Sequence, residues 1–275
     1  MFKMKLERQT VGHGLPIEAL FGYSGALHVG STIHIAGQLA RDTTGQQVSG
    51  TLVTKLNVAY DNIERLLDKF NLSLDSVIQV QIHADIALPN IMQIIQSISR
   101  QRIRLEKVSL TIIEVAGLND EGAMVEISAV ARPIIAQEDY HVSSQIEPQS
   151  YTIANSFASR LGAADVVEHH DLLYVSGQLP INKDGQLVFA GDIVGQFGAA
   201  LDRVDLVLQA VGSSISRVVA LDIFTSAPLS AEYFNEFCAA HRERMTEYQP
   251  TGTMVRVAGL PMEGALVYIS AIAAR

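Results

Sequence analysis

Apolar residues along this chain fall into two kinds of pattern, and the kinds follow one another in the same order twice. Leu52, Leu56, Ala59, Ile63, Leu66, Leu67 and Phe70 recur at helical spacing, as do Ile193, Phe197, Ala200, Leu201, Val204 and Leu208. Each run predicts an amphipathic helix with one buried face. Residues 77–86 and 218–225 are instead mainly β-branched and apolar, which suits central strands. Ahead of each helix the pattern predicts a hairpin, 26–29 with 32–37 and then 166–167 with 172–176. A second helix is expected after each central strand, near 90–102 and 230–246. Leu88-Pro89 and Pro228-Leu229 mark the two starts, because proline is tolerated at a helix start but not inside it. Two strands close each round, 109–116 with 124–132 and 253–258 with 266–273.

The repetition extends to the residues themselves. Ile33-His34-Ile35-Ala36-Gly37-Gln38-Leu39 returns as Leu173-Tyr174-Val175-Ser176-Gly177-Gln178-Leu179, and Val115-Ala116-Gly117-Leu118 returns unchanged as Val257-Ala258-Gly259-Leu260. The offset drifts only from about 140 to about 142 residues, so the chain reads as a tandem duplication. The least periodic stretch contains Pro133, Gln137, Glu138, Asp139, Pro148 and Gln149. It suggests a first domain over 1–135, a linker over 136–150 and a second domain over 151–275. Each copy reads as an α+β layer, a four-stranded, mainly antiparallel sheet with two helices on one face. Its strands look apolar on both sides, as in Ile33/Ile35, Ile112/Ile113/Val115 and Val255/Val257. The open face therefore needs another copy against it, and a homo-oligomer is expected.

Length and composition agree with this picture. A chain of 275 residues is long enough for two domains with their own cores, and 48% hydrophobic against 18% charged residues describes a globular protein. The net charge is −9, and no Lys/Arg block exceeds a residue or two. A nucleic-acid groove or an anionic membrane needs clustered positive charge, so the expected partner is a neutral or polar small molecule, with neither nucleic acid nor membrane. The start of the sequence has no apolar stretch of signal-peptide length and nothing later approaches ~18 apolar residues, so a cytoplasmic location is expected. The single cysteine, Cys238, sits in a helical pattern beside Phe234 and Phe237 and reads as a core residue.

Tyr174-Val175-Ser176-Gly177-Gln178-Leu179-Pro180, Gly191-Asp192-Ile193, the helix through 201–208, and Pro250 followed by Val255-Arg256-Val257-Ala258-Gly259-Leu260-Pro261 together resemble the Rid family. Its members are also called YjgF-like or reactive-intermediate deaminase proteins, and were historically labelled L-PSP endoribonucleases. The resemblance covers roughly 21–132 and 163–275. It implies a chorismate-mutase-like α+β domain that trimerises through its sheets, with clefts between neighbouring domains. It also implies hydrolysis of reactive 2-imino or 2-enamino acids to 2-oxo acids and ammonia, with no metal or organic cofactor.

Carried over position by position, the family's pocket is split between the copies. The place of its carboxylate-binding arginine falls on Leu110 and on Gly252. Its carboxylate on the last strand is Glu126 in one copy and Tyr268 in the other; its early tyrosine is Tyr23 against Ala163. The serine before Gly-Gln is Ala36 against Ser176, and the second-helix asparagine is roughly Gln93 against Asn235. The resemblance thus implies Glu126 and Tyr23 as catalytic residues, with Gly37, Ile112, Ser176, Asn235, Gly252 and Arg256 binding substrate. A glutamate in such a cleft can activate water, and backbone amides beside Gly37 and Gly177 can polarise the substrate.

Other chemistries find little support. Arg256 and Glu114 occupy matching positions, which suggests an ion pair between unlike copies. The adjacent His169-His170 would point to opposite faces of a strand and so would not share a metal ion. His34 and His83 read as structural strand residues, and Gly12-His13-Gly14 does not extend to a dinucleotide motif. The expected function is a Rid-like hydrolase or deaminase acting on an enamine, imine or related reactive metabolite in an inter-domain cleft. A catalytically silent metabolite-binding or scaffold protein and an endoribonuclease remain as alternatives.

Overall fold

Each repeat folds into its own sheet with helices on one side, in a computed structural model that describes residues 8–16, 18, 22, 24–118, 120, 122–132, 148–228, 230–245 and 250–275. The first sheet contains β1 (Arg8–Val11), β2 (Ala26–Val29), β3 (Thr32–Gln38), β4 (Val77–Ala84), β5 (Ser109–Glu114) and β6 (Val125–Ala131), in the order β1-β2-β3-β6-β4-β5. The second contains β7 (Gln149–Tyr151), β8 (Val166–His169), β9 (Leu172–Gln178), β10 (Val218–Thr225), β11 (Thr251–Arg256) and β12 (Val267–Ala274), in the order β11-β10-β12-β9-β8-β7. Pairing is antiparallel except at one end of each sheet, where β4–β5 and β10–β11 run parallel. Helices α1 (Leu52–Asp68) and α2 (Met92–Arg102) cover the first sheet. Helices α3 (Phe157–Leu161), α4 (Ile193–Ala210) and α5 (Ala231–Arg244) belong to the second copy.

A four-stranded sheet is expected and each sheet has six strands: all five segments that the patterning marks as strands join it, with one further edge strand. The hairpin arms extend the sheet, and the added edge strands β1 and β7 pair antiparallel with β2 and β8. Both are too short to show alternation, so their sequences give no periodic signal. The start of β7 at Gln149 also shortens the expected linker; residues 133–147 lie outside those described.

The long helices begin alike. Thr51 caps α1 by accepting from the Thr54 amide at 3.4 Å, and Asp192 caps α4 by accepting from Val194 and Gly195 at 3.1 and 3.0 Å. Gly50 and Gly191 just before them sit at φ +139° and +79°, where a side chain would be strained. Leu56, Ala59, Ile63, Leu66 and Leu67 of α1 are fully buried against Ile33, Val80, Ile82 and Ile127, and α4 repeats this with Phe197, Ala200, Leu201, Val204 and Leu208. No helix among the described residues is long and apolar enough to cross a membrane.

The second face of each sheet is hidden within the chain. Ile78 and Val130 of the first copy pack with Ala164, Val167, Tyr174 and Ile272 of the second. Along the same seam the Ala164 amide donates to the Val108 carbonyl at 3.2 Å, and the Ala258 amide donates to that of Glu114 at 2.9 Å. The seam turns polar at Gln81 and Asp222, 3.4 Å apart. Here Ser109, Leu110, Thr111, Ile112 and Ile113 of β5 are all buried. Their counterpart β11 has no such cover, and all six of its residues are exposed. The ion pair expected between Glu114 and Arg256 does not form within the chain: Glu114 Oε2 instead accepts from the Leu88 amide at 3.0 Å, and Arg256 faces solvent.

Candidate functional site

One irregularity is built into both copies. The register of β3 on β6 slips between Ile35 and Gln38, and that of β9 on β12 slips at the matching place, between Ile269 and Ala271. Such a bulge re-aims side chains where a strand ends. It lays Glu126 across Gly37 and Tyr268 across Gly177. A Cβ added at Gly37 would stand 2.0 Å from Glu126 Oε1, and one at Gly177 would stand 1.9 Å from Tyr268 Cζ.

In the first copy the glutamate opens into a cavity of about 400 Å³, a volume suited to a small molecule. Three elements converge there. Asn62 and Arg65 from one face of α1 and Lys69 from its C-cap line up here, since residues three and seven apart align along a helix. Gly37, Gln38 and Arg41 come from the end of β3 and the chain beyond it, while Glu126 comes from β6. The segment before β2 adds His13 and Glu18.

Most polar groups in the cavity are already engaged. Glu18 accepts from the amides of His13, Gly14 and Leu15 at 2.8, 2.8 and 3.1 Å, and His13 Nε2 lies 2.8 Å from Gln38 Oε1. Asn62 Nδ2 donates to the Leu39 and Arg41 carbonyls at 2.8 and 3.0 Å, while its buried Oδ1 has no partner among the described residues. Arg41 pairs with Asp120 at 2.9 Å, and Lys69 donates to the Gly12 carbonyl. Glu126 makes no hydrogen bond or ion pair among the described residues and is half-buried, which leaves both oxygens available to a ligand or water. His83 sits directly opposite it in the β4–β6 ladder. Burial holds His83 below the ordinary imidazole value, with the Glu126 charge pulling the other way.

The corresponding place in the second copy is filled. Tyr268 is fully buried and meets Phe157 edge-on, with ring centroids 6.2 Å apart. Burial raises its phenol pKa, and the Ile112 backbone near its hydroxyl opposes that shift. Ser176 Oγ donates to the Ala164 carbonyl at 2.6 Å and accepts from the Leu110 amide at 2.7 Å, so its hydroxyl joins the two copies. Arg203, at the place of Asn62, faces Asp165. That carboxyl is raised chiefly by burial, against hydrogen bonds from Ile153, Ser156 and Gln178 and the Arg203 charge.

Of the expected site residues, Glu126 and Gly37 come together at the cavity. Ile112 and Ser176 are buried in the seam between copies, Asn235 is exposed on α5, and Gly252 and Arg256 are exposed on β11. Tyr23 lies outside the described residues. Cys238 is half-buried on a groove shared with Phe237 and Met254, not enclosed in the core. His34 is exposed and 3.1 Å from Thr32 Oγ1, and His169 Nε2 is 2.9 Å from the Ser31 carbonyl. Among the described residues no cluster of His, Cys, Asp and Glu could hold a metal ion. Asn62, Arg65 and Lys69 were not foreseen, although Arg203, Leu206 and Ala210 at the matching places mark a difference between the copies.

The family model described as endoribonuclease L-PSP matches residues 15–133 and again 155–275. Protein HMF1 of Saccharomyces cerevisiae is 32% identical over 105 residues, covering 38% of this chain and 78% of that protein. A RutC family protein of Sulfurisphaera tokodaii is 32% identical over 103 residues, covering 38% and 79%. Among solved structures, a protein of unknown function of the conserved Rid family from Yersinia pestis is 31% identical, with 41% of this chain and 86% of that chain covered and a TM-score of 0.37.

Proposed function

The chain belongs to the endoribonuclease L-PSP family through both of its halves, and from that premise we propose that it is a Rid-type cytoplasmic hydrolase of a reactive enamine, imine or related small metabolite. The observation that carries the reading is Glu126, a carboxylate that makes no hydrogen bond or ion pair among the described residues and lines a cavity of about 400 Å³. Glu126 takes a proton from water as the water oxygen bonds to the imine carbon. It passes that proton to nitrogen, then takes the remaining hydroxyl proton and delivers it to nitrogen as the C–N bond breaks, releasing ammonia and a carbonyl. The first copy does this work, while the second has Tyr268 where the carboxylate stands.

The proposed cleft is completed by a second copy of the chain. Within one chain, Leu110 and Ile112 of β5 meet Ser176 and Tyr268. The internal repeat carries that contact over to the uncovered strand: Gly252 and Met254 of a second chain meet Ala36 and Glu126. Gly252 leaves open the space that Leu110 fills, and Arg256 reaches the cleft from the same strand. Met254, Val255 and Phe234, 38%, 45% and 50% exposed, gain cover in that contact. A head-to-tail contact of this kind either closes or grows into fibres, and a trimer of tandem chains is the closure that the family suggests.

Ammonia release from freshly generated enamines tests the reading, with Glu126→Gln expected to lose about 10²-fold or more of the rate, the range of a general base. Wild-type protein inert toward every enamine and imine offered would leave the silent-binder alternative in its place. Cleavage of RNA by the same preparation would favour the nuclease alternative, against the acidic charge and the small cavity.

A further inference from the structure

The cavity's charged groups are not all paired with one another. Glu18 is held by three amides, Asp42 Oδ1 accepts from Thr44 and Gln46 within its own turn, and Arg41 is paired with Asp120. Among the described residues Arg65 and Lys69 make no ion pair. There Arg65 donates to the Arg41 carbonyl at 3.4 Å and its buried Nε has no partner. Lys69 donates to the Gly12 carbonyl. The second copy shows the contrast: Leu206 and Ala210 stand at the matching helix positions, and its buried Arg203 faces the buried Asp165. Arg203 has the Asp165 charge near it, although its own buried Nε and Nη2 have no hydrogen-bond partner among the described residues.

A second group asks for the complementary feature of the same ligand. Asn62 spends both hydrogens of its amide on carbonyls, so Oδ1 can only accept, and it is buried with nothing among the described residues to accept from. A buried acceptor left unmet costs free energy, so a ligand that donates to it gains more than an exposed hydrogen bond would give. Asn62 and Arg65 are neighbours along one face of α1 and both line the cavity.

We propose that Arg65, supported by Lys69, holds the anionic end of a small ligand whose N–H or O–H donates to Asn62 Oδ1. Arg65 is then the specificity-determining residue of this site. It grips from the helix of the first copy, while strand positions 110 and 252 carry no charge. The inference deepens the hydrolase reading by naming the charged end of its substrate, but the binding it describes does not require turnover.

Equilibrium binding of lactate, which carries a carboxylate and an O–H, is compared with that of lactamide, its neutral isostere, on the full-length protein. Wild type is expected to bind lactate at least about tenfold more tightly, because a guanidinium forms charge-assisted bonds to a carboxylate that an amide cannot match. Arg65→Leu, the residue present in the second copy, is expected to abolish the preference, and Arg65→Lys to keep part of it. Lys69→Met weakens lactate by a smaller factor and tests the same charge should Arg65→Leu fail to fold. Equal affinity for the two compounds, no binding of either, or a preference unchanged in Arg65→Leu overturns the proposal. Glu126→Gln separates the two readings: it is expected to stop turnover yet tighten lactate, since it removes the opposing charge. Retained lactate preference with no activity on any enamine removes the hydrolase and leaves the anion site standing.

Discussion

The duplicated glycine before Gln38 and Gln178 permits the same small change to be made in both copies with opposite consequences. In Gly37→Ala the new methyl stands 2.0 Å from Glu126 Oε1, and in Gly177→Ala it stands 1.9 Å from Tyr268 Cζ. Carbon contacts near 3.5 Å are the norm, so each side chain must move by roughly 1.5 Å. Glu126 is half-buried beside a cavity and can swing out of the way. Tyr268 is fully buried, with Phe157 edge-on to its ring and Phe224 at 6.4 Å, and has nowhere to go. Overpacking of this kind costs about 1–3 kcal/mol, or roughly 2–4 °C of melting temperature per kcal/mol in a large domain. Neither glycine has a positive φ, so the backbone itself is not strained by alanine. Differential scanning calorimetry should therefore find Gly177→Ala melting several degrees early and Gly37→Ala close to wild type. Ammonia release should show the reverse, with Gly37→Ala losing the reaction and Gly177→Ala keeping it at a temperature where it is folded. Equal destabilisation by the two substitutions, or full activity in Gly37→Ala, would refute the assignment of an open first site and a packed second one.

Two further outcomes follow from uncovered and from buried groups. Light scattering of the wild type should report an assembly larger than one chain, and Val255→Asp on β11 should reduce it; a monomeric wild type refutes the proposed contact. Acid should destabilise the fold through its imidazoles. His83, His169 and His241 are all held below 6.5, mainly by burial, so the unfolded chain takes up protons first as the pH falls through 6.5. Stability is present above that value and is lost below it, down to the folded-state values. The urea midpoint should drop between about pH 7.5 and about pH 5.5, and His83→Gln should flatten the drop; an unchanged slope in the variant removes His83 from the account.

Elements with a period were legible in the sequence, and so was the duplication that orders them. The helices through Leu56 and Phe197 announce themselves because one face is apolar over four turns or more. The strands β1 and β7 do not, since three or four residues at a sheet edge carry no alternation. Glu126 was found as a charge on an apolar strand. Arg65 and Lys69 were not, because cations three and seven residues along from Asn62 look like an ordinary solvated helix face. Ser176 shows the opposite difficulty. A hydroxyl beside a glycine suits substrate binding, yet here it joins the Leu110 amide to the Ala164 carbonyl, a role that depends on which strand lies opposite.

The seam between β5 and β9 joins two parts of one polypeptide, so its formation is unimolecular. Dilution cannot separate those sheets, whereas any contact through β11 weakens as the protein becomes scarce. Cavity number per chain is thus independent of expression level, and under the proposed contact abundance acts on whether the cavity mouth is covered. The proposed hydrolase, where it needs that cover, then gains turnover more steeply than in simple proportion to the amount of protein.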